Sequence, residues 1–199
     1  MTGKLFILIL LGIGTYLLTP NFDSDSENQK EIDGSKIENL SYDQLVKLYP
    51  MDSTKNLFNN VLKGGWPVLI NNKSYKNTCC VRMSIVFNKL EKKFQIDKDL
   101  AIQDGNHKDF NNNSIIIKVP TMKLFLEKKL GLSTWGMSKK PGEKFNFSSI
   151  PNKKGILLYK FNLDHVNGHI DLWNGTKCHY DCPEVDVNVA AEIEFWELK

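Results

Sequence analysis

The chain predicts an α+β fold, and three features of its 199 residues carry that reading. Helical periodicity with capping residues dominates up to Gly131, and alternating or β-branched runs dominate beyond Gly155. Elements segregated in this way favour helices packed on an antiparallel sheet over alternating βαβ units. The third feature is a helical stretch opening at Asn77 that carries Cys79 and Cys80, which is expected to pack on that small sheet.

Ahead of these elements, Met1-Thr2-Gly3-Lys4 leads into an apolar run from Leu5 to Leu18. The run is shorter than the roughly 20 residues needed to span a bilayer, but it suits the core of an export signal. Residues 1–20 are therefore expected to be an export signal or a membrane anchor, placing the protein in the periplasm or outside the cell. The stretch from Asp23 to Ser35 is rich in Asp, Glu, Ser and Asn without an apolar stripe, which marks 21–40 as a disordered polar linker. Residues 41–199 form the expected domain, and 41% hydrophobic content is enough for a core. The formal charge of +3 is mild and the lysines are dispersed, which argues against a nucleic-acid groove.

Within the domain, Ser41-Tyr42-Asp43-Gln44 has capping-box spacing and opens a helix that stops at Pro50. Leu57, Phe58, Val61 and Leu62 recur at helical spacing between Ser53 and Gly64-Gly65, which predicts a second short helix. Asn77-Thr78 offers an N-cap for a third helix through about Lys92, with Met83, Val86, Phe87 and Leu90 inward. Ser114 to Val119 is β-branched, and Met122 to Leu130 is a helix closed by Gly131. Strands are then expected at Ile156–Phe161, Val166–Trp173 and Val185–Phe195, the last with Val185, Val187, Val189, Ala191, Ile193 and Phe195 on one face.

A thiol at a helix start and an imidazole on a later strand are the two parts a cysteine nucleophile needs, because a helix N-terminus and a neighbouring imidazolium both favour the thiolate. Cys79 and Cys80 both occupy the first turn, and periodicity does not choose between them. His107 lies in a polar stretch and reads as a solvated loop residue; His165 falls in the turn before a strand. His169 sits inside an apolar β-run, where a polar ring needs a reason, and Gly168 beside it leaves room for another backbone or a substrate. Trp66, Trp135 and Trp173 belong either to a groove or to the core.

Four blocks, Asn77-Thr78-Cys79-Cys80-Val81-Arg82-Met83-Ser84, Gly168-His169-Ile170-Asp171-Leu172-Trp173-Asn174-Gly175, Cys178 with Cys182, and Phe195-Trp196-Glu197-Leu198, resemble the type VI secretion amidase effector 4 family. The resemblance covers about Ser41 to Lys199. It implies a papain-like peptidoglycan amidase that cleaves between D-glutamate and meso-diaminopimelate, with Cys79 as nucleophile, Cys80 in a small-residue position and His169 as general base. It implies a cognate immunity protein that plugs the groove, and no cofactor is expected. The hydrophobic N-terminal run departs from the family, whose injected members need none.

In that family an acidic residue soon after the histidine orients the imidazole; Asp181 is the best match and Asp171 the rival. Asp171 shares the strand face of His169, but neighbours on that face project side by side. A three-residue turn at Asn174 to Thr176 pairs Trp173 with Lys177 and sets Asp181 opposite His169, whereas a two-residue Asn-Gly turn sets Tyr180 there. In an exported protein Cys178 and Cys182 are expected to bond, which demands a tight loop because four residues of strand separate Cα atoms by roughly 13 Å, beyond the roughly 7 Å limit. The Cys79 backbone amide is the expected oxyanion donor. Two other readings compete: a zinc site drawn from Cys79, Cys80, His169, Cys178, His179 and Cys182, and a non-catalytic wall- or partner-binding module on the same shell.

Overall fold

Ser41 accepts a hydrogen bond from the Gln44 amide at 3.2 Å and so starts helix α1 (Tyr42–Leu48) where the capping box places it. The computed structural model describes residues 40–139, 143–145, 147–161, 168–182 and 189–199. The expected export segment, the linker up to residue 39, His165, and the strand starts at 166–167 and 185–188 lie outside the described residues. Among the described residues no helix is long and apolar enough to cross a membrane. The Tyr42 amide donates to the Lys199 carbonyl at 2.8 Å, which closes the two ends of the domain on each other.

Ser53 caps α2 (Thr54–Asn56), which continues as a wider π-helical turn, Leu57–Leu62. This differs from the single short helix expected. The wide turn delivers Leu57, Phe58 and Leu62 to one buried cluster with Trp66, Val81, Ile85 and Ile115. It ends at Lys63 and Gly64, both at positive φ.

Helix α3 (Cys79–Asn88) is buried on every residue from Cys79 to Phe87. Val81 and Ile85 face that cluster, while Met83, Val86 and Phe87 join the main core with Ile156, Leu158, Ile170 and Leu172 of the sheet. A helix apolar all round is one sandwiched between layers, and α3 is the central rod of the fold. It stops four residues before Lys92 because the Asn88 carboxamide turns outward to the Ser114 carbonyl (2.8 Å) and the Ile96 amide (3.1 Å).

Helix α4 (Lys98–Gln103) and the two-residue ladder of β1 (His107–Lys108) with β2 (Ser114–Ile115) follow. The β-branched run ends early as a strand because the buried Asp104 carboxylate takes the Ile117 and Lys118 amides, each at 2.8 Å, and the Thr121 hydroxyl at 2.6 Å. Those bonds start α5 (Val119–Leu130) three residues ahead of Met122, with Pro120 in its first turn and Gly131 (φ 88°) at its end.

The sheet is antiparallel in the order β3-β6-β4-β5, with β3 at Trp135–Ser138, β4 at Gly155–Phe161, β5 at His169–Trp173 and β6 at Ala190–Glu197. One face carries Ile156, Leu158, Ile170, Leu172 and Trp196 toward the helices; the other carries Leu157, Tyr159, Trp173, Ile193 and Phe195 beneath Phe145 and Ile150. A register shift between Lys160 and Phe161 skips a residue of β6, so Ala190, and not the expected Ala191, joins Ile193 and Phe195.

Candidate active site

The cysteine helix and the histidine strand meet through Asn77. Its Oδ1 accepts the Cys79 amide at 3.1 Å, and its Nδ2 donates to the Gly168 carbonyl, also at 3.1 Å. Gly168 sits at φ +130°, and a Cβ there would lie 2.0 Å from the Tyr159 carbonyl oxygen. Only glycine lets the chain cross β4 this closely, and β5 then begins at His169. Cys79 and His169 open into one cavity of about 360 Å³, lined also by Thr54, Lys76, Asn77, Thr78, Tyr180 and Asp181.

Cys80 is buried in the main core and does not line that cavity. The two sulfurs lie 3.8 Å apart. Burial pushes the Cys79 thiol up, but hydrogen bonds with Cys80 and His169, the His169 charge and the Ile170 amide outweigh it and hold Cys79 well below the usual thiol range. Burial and the neighbouring Cys79 push Cys80 well up. These opposite shifts make Cys79 the more acidic thiol of the pair and Cys80 the one that keeps its proton longer. Burial depresses the His169 imidazolium, but the hydrogen bond and charge of Cys79, followed by the charges of Asp171 and Asp181, raise it above the ordinary histidine value. Both shifts run toward a thiolate–imidazolium pair.

The segment after β5 departs from the expected register. Trp173 pairs with Cys178, one residue beyond Lys177, and the His179 amide donates to the Leu172 carbonyl at 2.8 Å. Asn174 causes the extra residue: its Oδ1 accepts the amides of Thr176 and Lys177, both at 2.9 Å, and wraps the turn around itself. Cys178 and Cys182 are bonded, with Cα atoms 5.7 Å apart, in the tight loop that the expected bond demands. That bond removes both sulfurs from the thiolate set on which the zinc reading draws.

Asp171 is fully buried, and its carboxylate accepts the amides of Leu172 (2.7 Å), Tyr180 (2.8 Å) and Asp181 (3.0 Å). It lies within 4.8 Å of a His169 ring nitrogen, and its three amide partners make it the peg of the loop. Asp181 is exposed and lines the cavity beside His169. The Cys79 amide already donates to Asn77, so an oxyanion has to compete for the donor that the sequence assigns to it.

Three contributors escape sequence reasoning. Arg82 is completely buried one turn into α3, donating to Thr78 Oγ1 (3.0 Å), the Pro50 carbonyl (2.6 Å), the Asp52 carbonyl (2.7 Å) and the Tyr180 hydroxyl (3.1 Å). Its guanidinium also lies over the Tyr180 ring at 4.0 Å. A lone cation in an apolar helix is the signal that points to it; Asn77 reads only as a cap, and Tyr180 only as the residue that a two-residue turn sets opposite His169. Trp66 and Trp173 are core residues and Trp135 packs on the second cluster, so none of the three lines the cavity. His107 is half-buried against Trp66 and Tyr75, a packed ring in place of the solvated one expected.

The sequence profile of the family described as "type VI secretion system (T6SS), amidase effector protein 4" matches residues 75–196. The fold is shared with the Tae4–Tai4 effector–immunity complex from Salmonella Typhimurium, at 22% identity and TM-score 0.63 over 80% of this chain and 98% of that one. It is shared also with the corresponding Enterobacter cloacae complex (20% identity, TM-score 0.58, 84% and 99% of the two chains). The Enterobacter cloacae effector Tae4 gives 21% identity and TM-score 0.56, over 79% and 93%. No curated protein gives a significant match. With a papain-like helix-on-sheet fold and a profile that takes in both the cysteine helix and the histidine strand, the chain belongs to the type VI secretion amidase effector protein 4 family, a family of enzymes.

Proposed function

We propose that this amidase hydrolyses the bond between D-glutamate and meso-diaminopimelate in peptidoglycan stem peptides, with Cys79 as nucleophile, His169 as general base and acid, and Asp181 orienting the ring. The reading rests chiefly on one observation, that Cys79 and His169 line one cavity; the directions in which the two groups' ionisations are pushed favour the ion pair. The thiolate attacks the amide carbonyl, and the imidazolium then protonates the departing amine as the C–N bond breaks. His169, now neutral, takes a proton from water as that water attacks the thioester. The acyl group leaves as the acid, and thiolate and imidazolium are restored.

Asp181 is favoured as the orienting group because it is exposed and lines the same cavity, whereas Asp171, whose charge supports the imidazolium more strongly, spends its oxygens on three amides. The substrate lies in the periplasm of the attacked cell, and a cognate immunity protein is the expected partner, as in the Salmonella and Enterobacter complexes. Purified wild-type protein incubated with Gram-negative sacculi should release a new diaminopimelate amine, and Cys79→Ala should not. Loss of activity in Cys80→Ala with activity retained in Cys79→Ala reverses the assignment of the nucleophile.

A further inference from the structure

We infer that Lys76 forms a subsite for a carboxylate on the acyl side of the scissile bond, the free α-carboxylate of a γ-linked D-glutamyl residue. This rests on the stem-peptide reading above and names the group that the cavity recognises. Lys76 lines the cavity three residues ahead of Cys79, and its side chain is exposed. Among the described residues its ammonium makes no ion pair or hydrogen bond. Several other polar groups of the lining are already engaged. The Asn77 carboxamide is spent at both ends, and Thr78 Oγ1 and the Tyr180 hydroxyl both accept from Arg82. Lys76 therefore brings unspent cationic donors to a wall whose neighbours are committed to structure.

Lys76 also stands three residues before the N-terminus of the ten-residue helix α3, whose dipole adds to the attraction for an anion at that end. Its backbone is pinned by the preceding 3₁₀ turn, through the Lys76 amide on the Lys73 carbonyl at 3.3 Å. On the substrate, a glutamyl residue linked through its γ-carbonyl keeps its α-carboxylate four bonds from the carbon that Cys79 attacks. An ordinary α-peptide has an amide in the main chain and no such charge there. A cation on the wall of this cavity thus favours the γ-linked residue by charge over an α-linked residue with a neutral side chain, and an isoglutamine residue, with a neutral carboxamide, forfeits the pairing.

The test uses the full chain and two stem tetrapeptides that differ only in an α-carboxylate or an α-carboxamide on the D-glutamyl residue. Wild type should cleave the acid with kcat/KM about tenfold higher than the amide, a step typical of one charge-assisted contact. Lys76→Met should lose that preference by slowing on the acid alone, and Lys76→Arg should restore part of it. Equal slowing of Lys76→Met on both peptides, or no preference in wild type, overturns the subsite while leaving the amidase reading intact. Cleavage of neither peptide by wild type overturns both.

Discussion

The carboxamide of Asn77 donates to the carbonyl of Gly168 at 3.1 Å, two residues before the thiol on one segment and one residue before the imidazole on the other. With the Cys79 amide on its oxygen, this single side chain sets the spacing of two groups 90 residues apart in sequence. Asn77→Ala removes both bonds at a cost of about 1–2 kcal/mol, since each is worth about 1 kcal/mol net. The catalytic loss should exceed what that destabilisation explains. Thiol alkylation at neutral pH, measured on protein that is still folded, should slow because the imidazole no longer holds the anion; an unchanged rate would show that Asn77 is only a cap.

The ion pair should be visible as a pH profile. Cys79 is held well below the usual thiol range and His169 above the ordinary histidine value, so the reactive form occupies the window between the two. Iodoacetamide reactivity should rise through the lowered thiol ionisation and already be substantial at neutral pH. In His169→Ala, two of the causes that lower Cys79 vanish while the desolvation remains, so the rise should move toward alkaline pH. A wild-type curve that rises only in the ordinary thiol range would contradict the pair.

The two aspartates should separate by readout. Asp181→Asn touches an exposed residue, so it should leave the unfolding midpoint near wild type while kcat drops by about a hundredfold, within the range of acid–base contributions. Asp171→Asn keeps the volume but loses an acceptor for buried amides, and should destabilise the fold by about 1–3 kcal/mol. Urea unfolding alongside steady-state rates distinguishes them. If Asp171→Asn folds normally and is the dead variant, the orienting carboxylate has been misplaced.

Much of this arrangement is legible before any coordinates. Ser41, Ser53 and Gly131 announce helix ends through local hydrogen bonding and allowed φ, which neighbouring residues decide. The core faces of β4 and β5 follow from apolar runs. Errors arise where one side chain's hydrogen bonds or a shift in strand pairing overrides the apolar pattern. Asp104 ends the strand at Ile115, a bulge exchanges Ala191 for Ala190, and Asn174 lengthens the turn by one residue. The site divides in the same way. Cys79 and His169 are readable as residue types in place, but the link between them runs through Asn77, and the loop bearing Asp181 is set by Asp171, a disulfide and Arg82, whose pairing partners lie 30 or more residues away apart from Thr78.

Arg82 should prove a positioning residue and more than a structural one. It joins the cysteine helix α3 to the Pro50–Asp52 segment and, through Tyr180, to the loop carrying Asp181. Arg82→Met strands two carbonyls and two hydroxyls, and breaking buried charged contacts of this kind costs about 3–5 kcal/mol, so that variant is expected to unfold early. Tyr180→Phe is the cleaner probe. It keeps the ring on which the guanidinium stacks and removes one hydroxyl acceptor, a loss of about 1–2 kcal/mol for a partly exposed site. If the strut matters for catalysis, Tyr180→Phe should lower kcat several-fold and leave alkylation of Cys79 unchanged, because the thiol and imidazole keep their geometry while Asp181 drifts. A Tyr180→Phe variant as active as wild type would reduce Arg82 to a packing element of α3.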